Sequence, residues 1–284
     1  MLELIKAILF GIVEGITEWL PISSTGHMIL LNEFLVLDVS KEFWDMFLVV
    51  IQLGAILAVV VLFWNTIWPF ATGRDSKKQV VALGPIGIRT EVVLMWGKII
   101  VACLPAIVFV LLDLDEVCDA LFYNPVCVSI ALIVFGVAFL LVENRNKDRM
   151  ITAETMAEIT WKMAVLIGIF QLLAAAFPGT SRSGATIIGA LLIGVSRKAA
   201  SEFTFVLAIP VMLGASLLEV LDFGFALTRM EWTILLAGMV SAFVVSVFVI
   251  RFLLSYIRRH DFKIFGWYRI ALGVIVLAYF AFAR

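Results

Sequence analysis

The stretch Glu14-Gly-Ile-Thr-Glu18-Trp-Leu-Pro21-Ile-Ser23-Ser24-Thr25-Gly26-His27 gathers two carboxylates, four hydroxyls and one of only two histidines into a mostly apolar chain. Glu14 and Glu18 are four apart, so on a helix they share one face. Pro21 and the Ser-Ser-Thr-Gly run stop that helix and leave free backbone N–H groups beside hydroxyls and an imidazole. Oxygen ligands of this kind suit Mg²⁺ or Ca²⁺, which often bridge carboxylate to phosphate. Glu14 and Glu18 are therefore the candidate ligands of a divalent cation. Their competing roles are a proton-coupling pair or a structural partner for an arginine. His27 is the candidate proton-transfer group and Ser24 the candidate nucleophile, with Ser23 and Thr25 as phosphate-binding hydroxyls. In the competing assignment Ser24 only binds phosphate and His27 attacks.

A second run, Pro178-Gly-Thr-Ser181-Arg182-Ser183-Gly184, supplies a fixed cation, three hydroxyls and flexible backbone at a helix start. An anion needs N–H donors, a favourable dipole end and a guanidinium fork, and this run has all three. Arginine deep in an apolar segment is rare, and its alternative role is an ion pair with Glu14 or Glu18. Arg269 stands in a third patch, Phe262-Lys-Ile-Phe265-Gly-Trp267-Tyr268-Arg269, which reads first as an interface anchor.

These residues need elements to hold them. The chain has 284 residues, 63% hydrophobic and 15% charged, with mean hydropathy +1.10. Soluble domains are usually about half apolar and about a quarter charged, so this is a polytopic helical membrane protein. A net charge of −1 gives no reason to invoke nucleic acid. Cys103, Cys118 and Cys127 have no metal-ligand spacing and pack as small apolar residues. Glu3 precedes Lys6 and no small-residue cleavage site follows, so the first residues do not read as a removable signal peptide.

Six stretches read as full spans: 45–64, 92–112, 119–142, 201–221, 232–254 and 265–283. Residues 2–35 and 163–195 are apolar but broken in the middle, which suits the two arms of a re-entrant hairpin. Loop 65–91 carries Arg74, Lys77, Lys78 and Arg89; loop 143–162 carries Arg145, Lys147, Arg149 and Lys162; loop 255–264 carries Arg258, Arg259 and Lys263. The positive-inside rule puts these three on the cytoplasmic side, together with a short link at Arg197-Lys198. Both broken stretches must then begin and end on one face each, and on opposite faces. They also align without a gap, Gly11 over Gly168, Glu14 over Gln171, Pro21 over Pro178 and Ser24 over Ser181, and Gln52-Leu-Gly-Ala55 echoes Met212-Leu-Gly-Ala215. The fold expected is all-α: six transmembrane helices plus two re-entrant helical hairpins in one membrane domain. Its halves, about 1–142 and 163–284, form an inverted repeat whose breaks meet near mid-membrane.

The three motifs together resemble those of the bacterial undecaprenyl-diphosphatase (BacA/UppP) family over essentially the whole chain. The resemblance implies hydrolysis of the terminal phosphate of undecaprenyl diphosphate, recycling the cell-wall carrier lipid, in the bacterial inner membrane at a site open to the periplasm. It also implies association with resistance to bacitracin, which sequesters that diphosphate. By motif position, Glu14 and Glu18 are the acidic pair, and Ser24 and His27 the hydroxyl and imidazole. Ser181, Arg182 and Thr186 bind phosphate, with Arg269 a second cation. The implied partners are the polyprenyl diphosphate and membrane lipid; the chain admits a homo-oligomer without specifying one.

Two rival classes differ in what they require. Another type of lipid phosphatase uses Ser-Arg-x₅-His, but the sixth residue after Arg182 is Ile188. A lipid flippase shares the inverted-repeat architecture and predicts transport without phosphate release. A single site also makes a geometric demand: Arg182 must lie within about one Debye length, ~8 Å, of the glutamate pair unless an ion or substrate bridges them.

Overall fold

The computed structural model describes residues 1–71, 80–83, 86–224 and 226–282. Arg74, Lys77 and Lys78, which contributed to the loop-charge argument, lie outside the described residues. Helices α1 (Leu2–Thr17) and α2 (Ser24–Phe34) form the first broken hairpin, followed by α3 (Lys41–Ile67), α4 (Thr90–Leu111), α5 (Leu114–Phe122) and α6 (Pro125–Arg145). Helices α7 (Trp161–Ala176) and α8 (Arg182–Leu192) form the second hairpin, followed by α9 (Arg197–Phe223), α10 (Arg229–Tyr256) and α11 (Lys263–Phe282). Six of these, α3, α4, α6, α9, α10 and α11, are long and apolar enough to cross a membrane. The chain is an all-α polytopic membrane protein.

Hydroxyl and amide caps set the starts of the long helices. Ser40 and Ser196 accept from Phe43 N and Ala199 N, each at 3.1 Å. Thr228 and Glu231 cap α10 reciprocally. Arg197 and Lys198 are thus the first turn of α9 and not a link before it. The span expected at 119–142 also starts later, because Asn124 caps α6 through Cys127 N and Pro125 takes the first helical position. Residues 114–122 form the separate helix α5. A further difference is a small antiparallel sheet between α3 and α4, β1 (Phe70–Ala71), β2 (Val80–Leu83) and β3 (Ile86–Arg89), in the order β1-β3-β2. Val80, Val81, Ile86 and Ile88 are strand formers, and the charge of this loop had hidden them.

The halves exchange partners. Helix α1 packs on α10 and α7 on α4, while α3 packs on α9 and α6 on α11. The equivalent glycines Gly11 and Gly168 make these close approaches possible: a Cβ would lie 2.2 Å from Gly238 O at the first and 2.3 Å from Ala102 O at the second. The Gln52/Met212 echo has no such counterpart. A Cβ at Gly54 would meet Met239 O at 2.0 Å, whereas Gly214 has open space. Gly54→Ala is therefore expected to lower stability by about 1–3 kcal/mol through overpacking, and Gly214→Ala to leave it unchanged or raise it by up to ~1 kcal/mol. Thermal unfolding of the two detergent-solubilised variants checks the contrast.

Candidate active site

Both hairpins break in the same way. Ser23 (φ +74°) and Ser181 (φ +70°) take left-handed backbone and cap the second arm, each hydroxyl accepting from a backbone N–H three residues on, Gly26 N at 3.4 Å and Gly184 N at 3.2 Å. Non-glycine residues hold such a conformation at a cost of order 1–3 kcal/mol, so the surrounding contacts must impose it. This geometry corrects the gapless alignment. Ser23, not Ser24, is the counterpart of Ser181, because Gly179 (φ +94°) adds one residue after the second proline. The first residue of each second arm is then Ser24 in one hairpin and Arg182 in the other.

These two residues converge on one carboxylate. Ser24 Oγ donates to Glu18 Oε2 at 3.1 Å, and Arg182 Nη2 donates to Glu18 Oε1 at 2.9 Å. The contact between the motifs is direct, well inside the ~8 Å demanded of one site. Glu18 and Arg182 side chains are 7% and 13% exposed, so the pair is nearly dry. Arg182 Nη1 also donates to Thr204 O at 3.1 Å, and Ser183 Oγ to Glu18 O at 3.1 Å, which ties the second hairpin to the first.

Glu14 is 1% exposed, and its Oε1 has no hydrogen-bond partner. Its carboxyl lies beside that of Glu18, one helical turn on. It lines a cavity of about 680 Å³ together with Ser24, Thr25, Asp45, Asp119 and Glu219. The donor set is all oxygen, and Glu14 Oε1 is an orphaned acceptor, so the residues fit a hard cation. Among the described residues no third histidine, cysteine or carboxylate joins Glu14 and Glu18 in a metal-sized cluster. An ion here would keep waters or take phosphate oxygens.

His27 stands beside this centre. Nδ1 is 2.7 Å from Ser23 O and Nε2 is 2.7 Å from Tyr268 Oη, with the imidazole stacked on the Tyr268 ring at 5.6 Å and 4°. A carbonyl only accepts, so Nδ1 carries the proton, and Nε2 is the atom able to take one up. The Ser24 hydroxyl donates its hydrogen bond to Glu18 and not to His27. Tyr268→Phe should lower kcat by about five-fold, the worth of one ~1 kcal/mol hydrogen bond, because the ring loses its Nε2 hydrogen bond to Tyr268 Oη. A kcat equal to that of the parent would remove His27's orientation from the chemistry.

The other sequence-selected residues are placed differently. Ser23 is buried and serves as a cap. Ser183 and Thr186 are buried in α8, Thr186 donating to Arg182 O and Ser183 O and receiving from Thr204 Oγ1 at 2.9 Å. Ser181 Oγ lies 3.1 Å from Ser183 Oγ. Arg269 is wholly buried: Nη1 donates to Pro21 O, and Nη2 to Gly179 O and Thr180 O. Its guanidinium thus braces the two breaks against each other instead of facing the cavity. Sequence reasoning missed Tyr268 as a partner of His27 and Thr204 as a partner of Arg182. Tyr268 adjoined Arg269 in the third motif; Thr204, one of several hydroxyls along α9, gave no signal.

The chain matches the family model "Bacitracin resistance protein BacA" over residues 7–275. It is 58% identical to undecaprenyl-diphosphatase 1 of Clostridium acetobutylicum over 98% of each chain. It is also 58% identical to the undecaprenyl-diphosphatase of Desulfitobacterium hafniense, over 99% of this chain and 97% of that one. With that of Enterococcus faecalis it shares 56%, over 97% and 96%. With its motifs contiguous in space and the family model matched over residues 7–275, the chain belongs to the BacA family.

Proposed function

We propose that this protein is an undecaprenyl-diphosphate phosphatase that releases the terminal phosphate and returns undecaprenyl phosphate to cell-wall synthesis. The observation that carries this reading is the shared carboxylate: one hydroxyl and one guanidinium, from two hairpins, meet on Glu18 beside a cavity able to hold a diphosphate. An incoming phosphate competes with Glu18 for the Arg182 guanidinium, whose fork matches phosphate oxygens. Once Arg182 turns to the phosphate, the Glu18 carboxylate is left with the Ser24 hydroxyl as its hydrogen-bond donor. It takes the Ser24 proton as Oγ attacks the terminal phosphorus, and the bond from that phosphorus to the bridging oxygen breaks. Undecaprenyl phosphate leaves, and water, giving a proton to His27 Nε2 as it attacks, then hydrolyses the phosphoserine to inorganic phosphate while Ser24 Oγ regains its proton from Glu18. Direct attack by water held on Ser24 and Glu18 gives the same products without the covalent step. Glu14 and Glu18 would hold a Mg²⁺ or Ca²⁺ ion, which when bound offsets phosphate charge.

The membrane setting follows from α9. Arg197 opens this helix and Glu219, which lines the cavity, lies 22 residues later, roughly 33 Å along the axis. The cationic loops around Arg149 and Arg258 share the Arg197 end. By the positive-inside rule the cavity opens to the outside of the cytoplasmic membrane. The two halves then insert with opposite orientation, as an inverted repeat with facing breaks. Consumption of the diphosphate lipid that bacitracin sequesters would confer resistance.

Purified protein in nanodiscs with a prenyl diphosphate tests the reading. The parent is expected to release phosphate and to lose activity with a metal chelator. Ser24→Ala is expected to fall at least about 100-fold. Full activity in Ser24→Ala would remove the nucleophile, and no release by the parent would sink the phosphatase reading altogether.

A further inference from the structure

A second hollow lies at the other end of the molecule and takes no part in the chemistry above. It has a volume of about 280 Å³ and is walled by the end of α6, the end of α8, the start of α9 and the end of α10. Arg149, Arg197, Lys198 and Arg258 line it against a single carboxylate, Glu143. Glu143 is 1% exposed and fully engaged: it receives Arg197 Nε and Nη2 at 2.9 and 2.5 Å, and Phe262 N at 3.0 Å. That pair fixes Arg197 by one edge of its guanidinium, and Nη1 is outside it. Three further cations therefore line the hollow, and the carboxylate placed to interact with Lys198 and Arg258 is Glu202, outside its lining. Arg149 donates to Leu192 O through Nη1, and Lys198 Nζ reaches Glu202 only at 3.8 Å.

Charge orientation in a membrane explains cations on this face, but not their convergence on a hollow floored by a pinned guanidinium. The hollow also occupies a matching place in the other half of the chain. It is built on the start of α9, as the 680 Å³ cavity reaches the start of α3 at Lys41, and the two helices have serine caps of the same geometry. We propose that this hollow is a binding site for a phosphate monoester or inorganic phosphate, separate from the catalytic cavity and on the opposite face. The chemistry selects a compact, multiply charged tetrahedral anion, because forked and point cations converge on one small volume. That anion is either a lipid headgroup or free phosphate.

The test is titration calorimetry of the intact protein in nanodiscs of neutral lipid, with inorganic phosphate and with farnesyl phosphate as separate probes. Lys198→Gln/Arg258→Gln is the comparison variant, since neither residue touches the catalytic cavity and Arg197 keeps its structural pair. The intact protein is expected to bind two equivalents of at least one probe, and the variant one, the lost event weakening at least ten-fold. Hydrolysis by the variant should stay within two-fold of the parent, which separates failure here from failure of the phosphatase reading. Loss for farnesyl phosphate alone assigns the site to a lipid headgroup; loss for both probes assigns it to phosphate itself. Identical isotherms in the two proteins would overturn the proposal. If the variant does not fold, labelling of Arg149 by phenylglyoxal in the intact protein decides the matter: the probes protect it if the site exists, and unchanged labelling refutes it.

Discussion

Arg182→Ala is expected to lower phosphate release by about 100- to 1,000-fold, the usual cost of one group that stabilises developing charge. It is also expected to destabilise the protein by about 3–5 kcal/mol, because Glu18 is left as a nearly dry carboxylate without its cation. The two losses have different origins and can be separated. In Glu18→Gln/Arg182→Gln the Glu18 carboxylate is removed together with its cation, so the part of the loss that comes from that pair should return. Activity should not, since both the guanidinium for the phosphate and the acceptor for the Ser24 proton are gone. Thermal unfolding and phosphate release measured on the single and double variants make the cycle. If the double variant recovers activity along with stability, the pair is structural and the site lies elsewhere.

Arg269→Gln is expected to damage the fold at both breaks at once. Three carbonyls, Pro21 O, Gly179 O and Thr180 O, take their hydrogen bonds from this one buried guanidinium. An unsatisfied buried acceptor costs about 1–3 kcal/mol, and a shorter amide reaches one of the three at best, so a loss of about 3 kcal/mol or more follows. Hydrogen exchange should rise at both breaks together, residues 19–26 and 177–184, because one side chain holds them in register. Activity falls as a consequence, as Ser24 and Arg182 no longer meet on Glu18. A phosphate ligand with no structural duty would behave in the opposite way, losing activity while the melting temperature and exchange stayed at parental values.

The six spans, the two broken stretches and the membrane class were legible because hydrocarbon imposes length and composition locally, residue by residue. The reactive residues were legible for the same reason. Carboxylates, hydroxyls, a histidine and an arginine stand out where every neighbour is apolar, and two prolines mark where backbone N–H groups come free. Helix starts were less so: Asn124-Pro125 and Ser196 are short-range signals, but apolar runs on either side drew the boundaries away from them.

What the tertiary structure decided was which of these groups meet. Glu18 and Arg182 are 164 residues apart, and no local rule fixes their contact. It depends on α1 docking against α10 and α7 against α4 through Gly11 and Gly168, and on the left-handed serines that aim the second arms. One extra residue, Gly179, shifts the pairing so that Ser24 answers Arg182 rather than Ser181, which a gapless comparison of strings hides. Burial likewise reassigned Arg269, whose type suits phosphate but whose surroundings are backbone carbonyls. Residue type is a property of the sequence. Which partner satisfies a buried polar group is a property of packing, because that choice is made only when competing partners are brought within hydrogen-bond distance and water is expelled.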